Sequence, residues 1–401
     1  VTESRQPAAF NILFRWAARL AAAGVLAACG GGGGGSDLAG VGTGGTGTVS
    51  SAVTVGSIAG FGSVIVAGVR FDDSTARVAD EDGNTRSRSD LRLGMVTTIT
   101  GTADYVAGTG KASQIVYGSE ILGPIDSVDL AGGHFKVLGA TVSIKPATVF
   151  DEGLAGLPAL HPGAVVEVYG AYNAATGSYT ATRIESRLSA SRYRLRGPVS
   201  GLDISQRRFV LAGVAIDYRS VPDAQIAGLA DGQILRVSAA TGPAAGVWRI
   251  DAIEGARRAP LADGEAKIEG SIATLLSAGR FVVDGVTVDA SGARIEGVLA
   301  VGLRVEAEGV VRSGVLMAKE VEVGDEGESN DEAFELTALI EAFEPATQRF
   351  VLRGQAVDAS GAVRFEGGSR AALANGRKVE LKGWFDASRG VIVATLIHFE
   401  D

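Results

Sequence analysis

The sequence predicts an all-β chain: a tandem array of about five small five-stranded β-barrels behind a short apolar leader and a glycine-rich stretch. Three observations predict it. Glycine accounts for 57 of the 401 residues, about twice its usual share, and beyond one N-terminal tract it stands singly between short apolar runs, as tight turns between short strands require. Those runs alternate apolar and polar residues with the period of two that marks a half-buried strand. The whole pattern recurs about every 70 residues, the signature of a repeat array.

The turn between the second and third strands carries the repeat best. It reads Val66-Ala67-Gly68-Val69, Val137-Leu138-Gly139-Ala140, Leu211-Ala212-Gly213-Val214, Val283-Asp284-Gly285-Val286 and Leu352-Arg353-Gly354-Gln355 in successive repeats. A residue–Gly dipeptide between two period-two segments is a two-residue hairpin, which needs a positive φ at the glycine. Each repeat closes with a second hairpin, as in Gly163 to Gly170, Gly302 to Gly309 and Gly376 to Gly383. There Val305 and Ala307 face one way, and Arg304, Glu306 and Glu308 the other. A last strand follows, for example Ala181 to Glu185. The variable segment between the hairpins (150–162 or 369–375) permits one short helix or turn.

Three strands, a connector and two strands is the order of a five-stranded OB-like barrel. Other small barrels or sandwiches, and a continuous solenoid, are the alternatives. The predicted boundaries are 54–119, 120–190, 191–260, 261–324 and 334–401, with an acidic linker over 325–333 whose carboxylates lack the spacing of a calcium loop. Repeat three departs most: around Gly232 to Gly246 it lacks the clean glycine-closed alternation.

These repeats resemble a bacterial domain-of-unknown-function family carried in multiple copies on proteobacterial lipoproteins, most closely over Gly56 to Asp72 (GSIAGFGSVIVAGVRFD). The resemblance implies the fold and says nothing of chemistry.

Arg5, Arg15 and Arg19 precede the apolar run Leu20 to Ala28, which is far shorter than the roughly 20 residues a membrane span needs. Residues 1–28 therefore read as a signal peptide. The opening Val1 reads as an alternative start codon or a start placed too early. The run ends Leu26-Ala27-Ala28-Cys29-Gly30, which resembles the bacterial lipobox. That resemblance implies that Cys29 becomes the first mature residue and carries lipid on its sulfur and amine. It also implies, through Gly30 rather than Asp after the cysteine, delivery to the outer membrane. Several acyl chains give the stable anchoring that one does not. Residues 29–53 then form a lipidated cysteine and flexible tether, about 22 residues of which have an r.m.s. span of roughly 25 Å.

Cys29 is the sole cysteine, so the chain has no internal disulfide and no thiolate metal cluster. A formal net charge of −9 gives no generic attraction to phosphate backbones and argues against nucleic acid. His134, His161 and His398 share no carboxylate spacing, and no HExxH, GxSxG or Walker pattern occurs. No catalytic, metal or cofactor residue is assigned. Asp72, Asp217, Asp289 and Asp358 each end a third strand and read as acceptors in Asx turns.

The candidate ligand-facing aromatics are Trp248, Trp384, Tyr169 and Tyr172, because aromatics on an exposed barrel face stack on sugars or bases; packing within the barrel is the competing reading. The function these features predict is a non-enzymatic binding or structural module of the envelope. Lipid on Cys29 holds it at the membrane, and its partner is an envelope protein or glycan. The alternatives are an envelope hydrolase at a repeat junction, built on His161 or His398, and oligonucleotide binding by the barrels, which acidity and export both oppose.

Overall fold

The computed structural model describes residues 50–151, 154–254, 261–324 and 334–400. The predicted signal peptide, Cys29, the tether up to residue 49 and the acidic linker lie outside the described residues.

Repeat two shows the barrel in its plainest form. Its strands are Ile121–Asp129, His134–Val137, Ala140–Phe150, Val165–Asn173 and Ser178–Arg187. The first pairs antiparallel with the second, and the second with the third. The third pairs parallel with the fifth, the fifth antiparallel with the fourth, and the fourth antiparallel with the first. The ring 1-2-3-5-4-1 is closed, which is the OB-like arrangement. The same five pairings recur in repeat one, repeat four and repeat five. The chain is all-β, with several small five-stranded barrels in its repeated segments. The helical elements among the described residues are single 3₁₀ turns, such as Leu157–Ala159 and Arg370–Ala372 in the connectors.

Two glycine positions dictate this geometry. In every hairpin between strands two and three, both central residues have positive φ: 48° and 69° at Ala67 and Gly68, 53° and 85° at Leu138 and Gly139, 50° and 72° at Arg353 and Gly354. That is the type I′ turn, whose twist matches the strands it joins. The non-glycine member is held in place by packing. Leu138 is fully buried, and Arg353 lays its guanidinium 4.2 Å from the ring centroid of Phe61 in repeat one. The second position is a bulge in the fourth strand, at Gly101, Gly170, Gly309 and Gly383, where the register to the fifth strand slips by one. A Cβ at these glycines would sit 2.0, 2.1, 2.1 and 2.3 Å from a carbonyl oxygen of the fifth strand. Repeat three has no such glycine. Its fourth strand stops at Ala239, and its fifth is broken into Val247–Arg249 and Ala252–Glu254.

The barrels do not pack in sequence order. The first strand of repeat one, Ser50–Phe61, opens four residues before the boundary predicted for the barrel. It pairs parallel with the first strand of repeat four, Gly264–Ser277, and with that of repeat five, Phe334–Leu339. Repeats two and three also join through first strands, Arg194 and Leu195 lying opposite Leu122 and Ile121. One half of each first strand pairs with strand four and the other with strand two. Each half is left with an open edge, and an unpaired edge recruits another strand. One apolar cluster consequently runs through repeats one, two, three and five, while a second joins repeat four to Val53 and Val55 of repeat one.

Candidate functional site

Repeat one carries an extra hairpin between its third and fourth strands, Arg77–Asp80 and Thr85–Arg86. Asp80 builds its tip: one carboxylate oxygen accepts from the backbone N–H of Asp82 at 3.0 Å and of Asn84 at 2.9 Å, and the other accepts from Arg86 Nε at 2.9 Å. Burial raises the Asp80 pKa, but the hydrogen bonds from Asn84 and Arg86 outweigh it and hold the carboxyl below the usual range. The tip thereby aims Glu81 and Asp82 at repeat three.

Repeat three meets them with three arginines on one face. Arg194 and Arg196 are two apart on the first strand, and Arg236 stands directly opposite Arg196 on the fourth. The intervening Leu195 and Val237 face the core, fully buried. Arg194 and Arg236 pair with Asp82, Arg196 pairs with Glu81, and Arg236 lies 2.9 Å from Glu81. Repeat two adds a matching row, Arg183, Glu185 and Arg187, on the face of its fifth strand opposite to the core residue Ile184. Arg183 is 2% exposed, 3.0 Å from Asp151 and 2.6 Å from Glu185, and donates to the carbonyl of Leu93 in repeat one at 3.2 Å. Arg187 donates from Nε to Glu167 at 2.8 Å.

Arg194, Glu185 and Arg187 of these rows, with Glu81 and Asp82 of the hairpin, line a polar cleft of about 870 Å³ at the junction of repeats one, two and three. Eight carboxylates line it against five guanidiniums, and Arg183, Arg196 and Arg236 pair with those carboxylates from behind the lining, so most of the charge is compensated by ion pairs. Arg92 differs, bonding to backbone carbonyls, that of Leu91 at 3.0 Å. Tyr169 sits just before the bulge glycine and opposite Arg183. The residue is part of the cleft's lining, and its hydroxyl is fully buried and makes no hydrogen bond among the described residues. Burial, reinforced by Glu167 and Glu185, pushes its pKa well above the ordinary tyrosine value, so it is a neutral phenol with a proton to donate. Burial likewise pushes Tyr117, on the same wall, up to about 12.

Three segments of the chain match the family model described as a domain of unknown function (DUF5666): residues 123–185, 269–322 and 337–398. Each DUF5666 segment starts inside a first strand and ends inside a fifth, so each covers one barrel: repeats two, four and five. Residues 56–72 of repeat one, on which the resemblance in the sequence rests, lie outside the matched segments. No curated protein matches the chain. The cleft is not a general property of DUF5666 repeats. Counting from the residue that faces the bulge glycine, the places of Arg183 and Glu185 are taken by Glu320 and Glu322 in repeat four and by Leu396 and His398 in repeat five.

The four candidate aromatics do not converge. Trp248 is a correction: it is fully buried in repeat three, its Nε1 donating to the carbonyl of Thr241 at 2.6 Å, because the broken fifth strand needs a large side chain beneath it. Tyr169 is a correction too: its side chain is enclosed and fully buried, although the residue is part of the cleft's lining. Tyr172 is half-buried, edge-on to Tyr179 at 5.2 Å, and borders a different cavity. Trp384 is 39% exposed on the fourth strand of repeat five and lines neither.

The histidines are also scattered. His134 is 3.6 Å from Asp129, His398 is 3.6 Å from Glu366, His161 is exposed, and none lines the cleft. Among the described residues no group of three His, Cys, Asp or Glu is placed to hold a metal ion. Asp72, Asp217, Asp289 and Asp358 each accept from the backbone N–H two residues on, at 2.9 to 3.1 Å, as Asx turns. Sequence reasoning missed the arginine rows. Their signal is present: Arg183-x-Glu185-x-Arg187 and Arg192-x-Arg194-x-Arg196 place charges on one face of a strand.

Proposed function

We propose that this chain is an exported, non-enzymatic binding module of the bacterial envelope, anchored by lipid on Cys29, which holds a glycan in the polar cleft of repeats one to three. The observation that carries the reading is the Tyr169 hydroxyl, a buried donor without a hydrogen bond among the described residues, on a residue that lines an open polar cleft. Burying such a group unpaired costs about 1–3 kcal/mol, a cost a bound hydroxyl removes. Ion-paired carboxylates and guanidiniums offer acceptors and donors side by side, which suits an uncharged ligand whose every hydroxyl both donates and accepts. The ion pairs that fix the walls come from three repeats, so the cleft is set before the ligand arrives.

The test is calorimetric titration of the full chain with a panel of neutral envelope-derived oligosaccharides, alongside Tyr169→Phe. At least one oligosaccharide is expected to bind saturably, and the variant to bind it about tenfold more weakly, the worth of one hydrogen bond. Absence of binding across the panel, or equal binding by the variant, would overturn the reading.

A further inference from the structure

A second cavity lies against the first, with the opposite chemistry. It measures about 220 Å³ and is bordered by repeats one, two, three and four, with Val55, Ala171, Pro198, Ile234, Ala273 and Val282 among its walls. Its floor is polar and buried: Glu120, Arg196 and Thr98 are at most 7% exposed. Arg196 lies 3.5 Å from Glu120 and pairs on its other side with Glu81 of the polar cleft, so its guanidinium partitions the two spaces. Leu276, 55% exposed, stands at the rim.

We propose that this cavity binds the aliphatic chain of a medium-length amphiphile with a hydrogen-bond-donating head, an alcohol or an amine. Two features fix the occupant. A cavity of about 150 Å³ with apolar walls admits the six carbons of benzene, so by proportion about 220 Å³ takes about nine heavy atoms, an eight-carbon chain with its head atom. At the floor the Arg196 guanidinium already stands between two carboxylates, Glu81 and Glu120. A carboxylate head would bring a third negative charge to a cation already engaged twice, whereas a donor head meets carboxylate oxygens that accept. Apart from the Arg196 partition the site uses different lining residues and a different driving force, so it stands or falls separately from the glycan reading.

The experiment is calorimetric titration of the full chain with 1-octanol, octylamine and octanoate, followed by the linear alcohols from hexanol to decanol. Octanol and octylamine are expected to saturate one site per chain, with octanoate at least tenfold weaker. Affinity should rise about fourfold per methylene up to about eight carbons and then level off. Ala171→Phe and Ala273→Phe, which fill the cavity, should each abolish binding while leaving the far-ultraviolet dichroism unchanged. Non-saturable octanol binding, or saturable binding that survives in a folded filling variant, overturns the site. Octanoate binding as well as octanol overturns the head-group assignment. The chain-length series needs only the natural protein, so an affinity that climbs evenly past ten carbons overturns the site even where both variants fail to fold.

Discussion

The guanidinium of Arg236 lies 2.9 Å from the carboxylate of Glu81, and neither side chain is more than 8% exposed. The two residues belong to different barrels, repeat three and the inserted hairpin of repeat one, so the ion pair clasps one barrel to another. Taking two charges out of water is expensive, and breaking such a pair by removing one partner strands the other. Glu81→Leu leaves Arg236 and Arg196 short of a carboxylate in a buried junction. It is expected to cost about 3 kcal/mol, at the low end for a broken buried pair because Asp82 and Glu254 remain near Arg236. Urea denaturation of the full chain checks it, and a loss under about 1 kcal/mol would mean the junction rearranges around the missing group.

Asp217 gives the fold a dependence on acid. It is buried, accepts from Arg219 Nε at 2.9 Å, and lies 3.6 Å from Arg249. The hydrogen bonds from Arg219 hold its pKa far below the usual carboxylate range, against the opposing effect of burial. A carboxyl depressed in the folded state stabilises above its unfolded pKa, near 3.8, and loses that contribution as the pH falls through the folded value. Asp217→Asn is therefore expected to cost about 1.5–3 kcal/mol at pH 7, the range for hydrogen bonds to a charged group. The gap from the natural protein should narrow once the pH drops below about 4. Melting curves at a series of pH values measure that gap, and a constant difference from pH 7 to pH 2 would assign the effect to packing instead.

The barrel was legible in the sequence because its two decisive positions are backbone demands. Gly139 must adopt positive φ, and Gly170 must let a carbonyl approach where a Cβ would stand. Only glycine meets either demand cheaply, so both leave a mark at a fixed place in each repeat. The cleft was not legible, because it depends on which barrels meet. Arg194 and Arg196 read as the solvated face of an alternating strand, and in a string of separate barrels they would be that. Out-of-order packing buries the face instead, and nothing in the spacing of the repeats encodes such packing. Trp248 misled for a related reason: a lone tryptophan beside a glycine-poor hairpin marks a barrel that fills its broken strand with a side chain, not a barrel that displays one.

The two classes of glycine differ in what a methyl group would meet, and substitution separates them. At Gly170 φ is 152° and the Cβ of alanine would lie 2.1 Å from the carbonyl oxygen of Thr180, which the neighbouring strand cannot move without losing its pairing. At Gly213 φ is 86° and nothing lies within 4 Å. Gly213→Ala is expected to cost about 1–2 kcal/mol, the penalty of the left-handed conformation alone. Gly170→Ala is expected to cost more than about 4 kcal/mol, in the range reached only by severe strain or overpacking. Denaturant titration of both variants gives the comparison, and equal losses would show that the bulge relaxes freely.

Anchoring is the part of the proposal that a single atom controls. If lipid is carried on the sulfur of Cys29, Cys29→Ser keeps the shape of the side chain and removes the attachment point. In cells fed radiolabelled palmitate, the natural chain is expected to take up label and to sediment with membranes. The serine variant should take up none and should appear in the soluble envelope fraction or retain its leader. One acyl chain holds a protein only marginally, whereas several hold it stably, so the sedimentation difference should be close to complete. Membrane association that persists in an unlabelled Cys29→Ser chain would place the attachment elsewhere, in the barrels themselves, and would make the apolar cavity near Leu276 the first surface to test for contact with lipid.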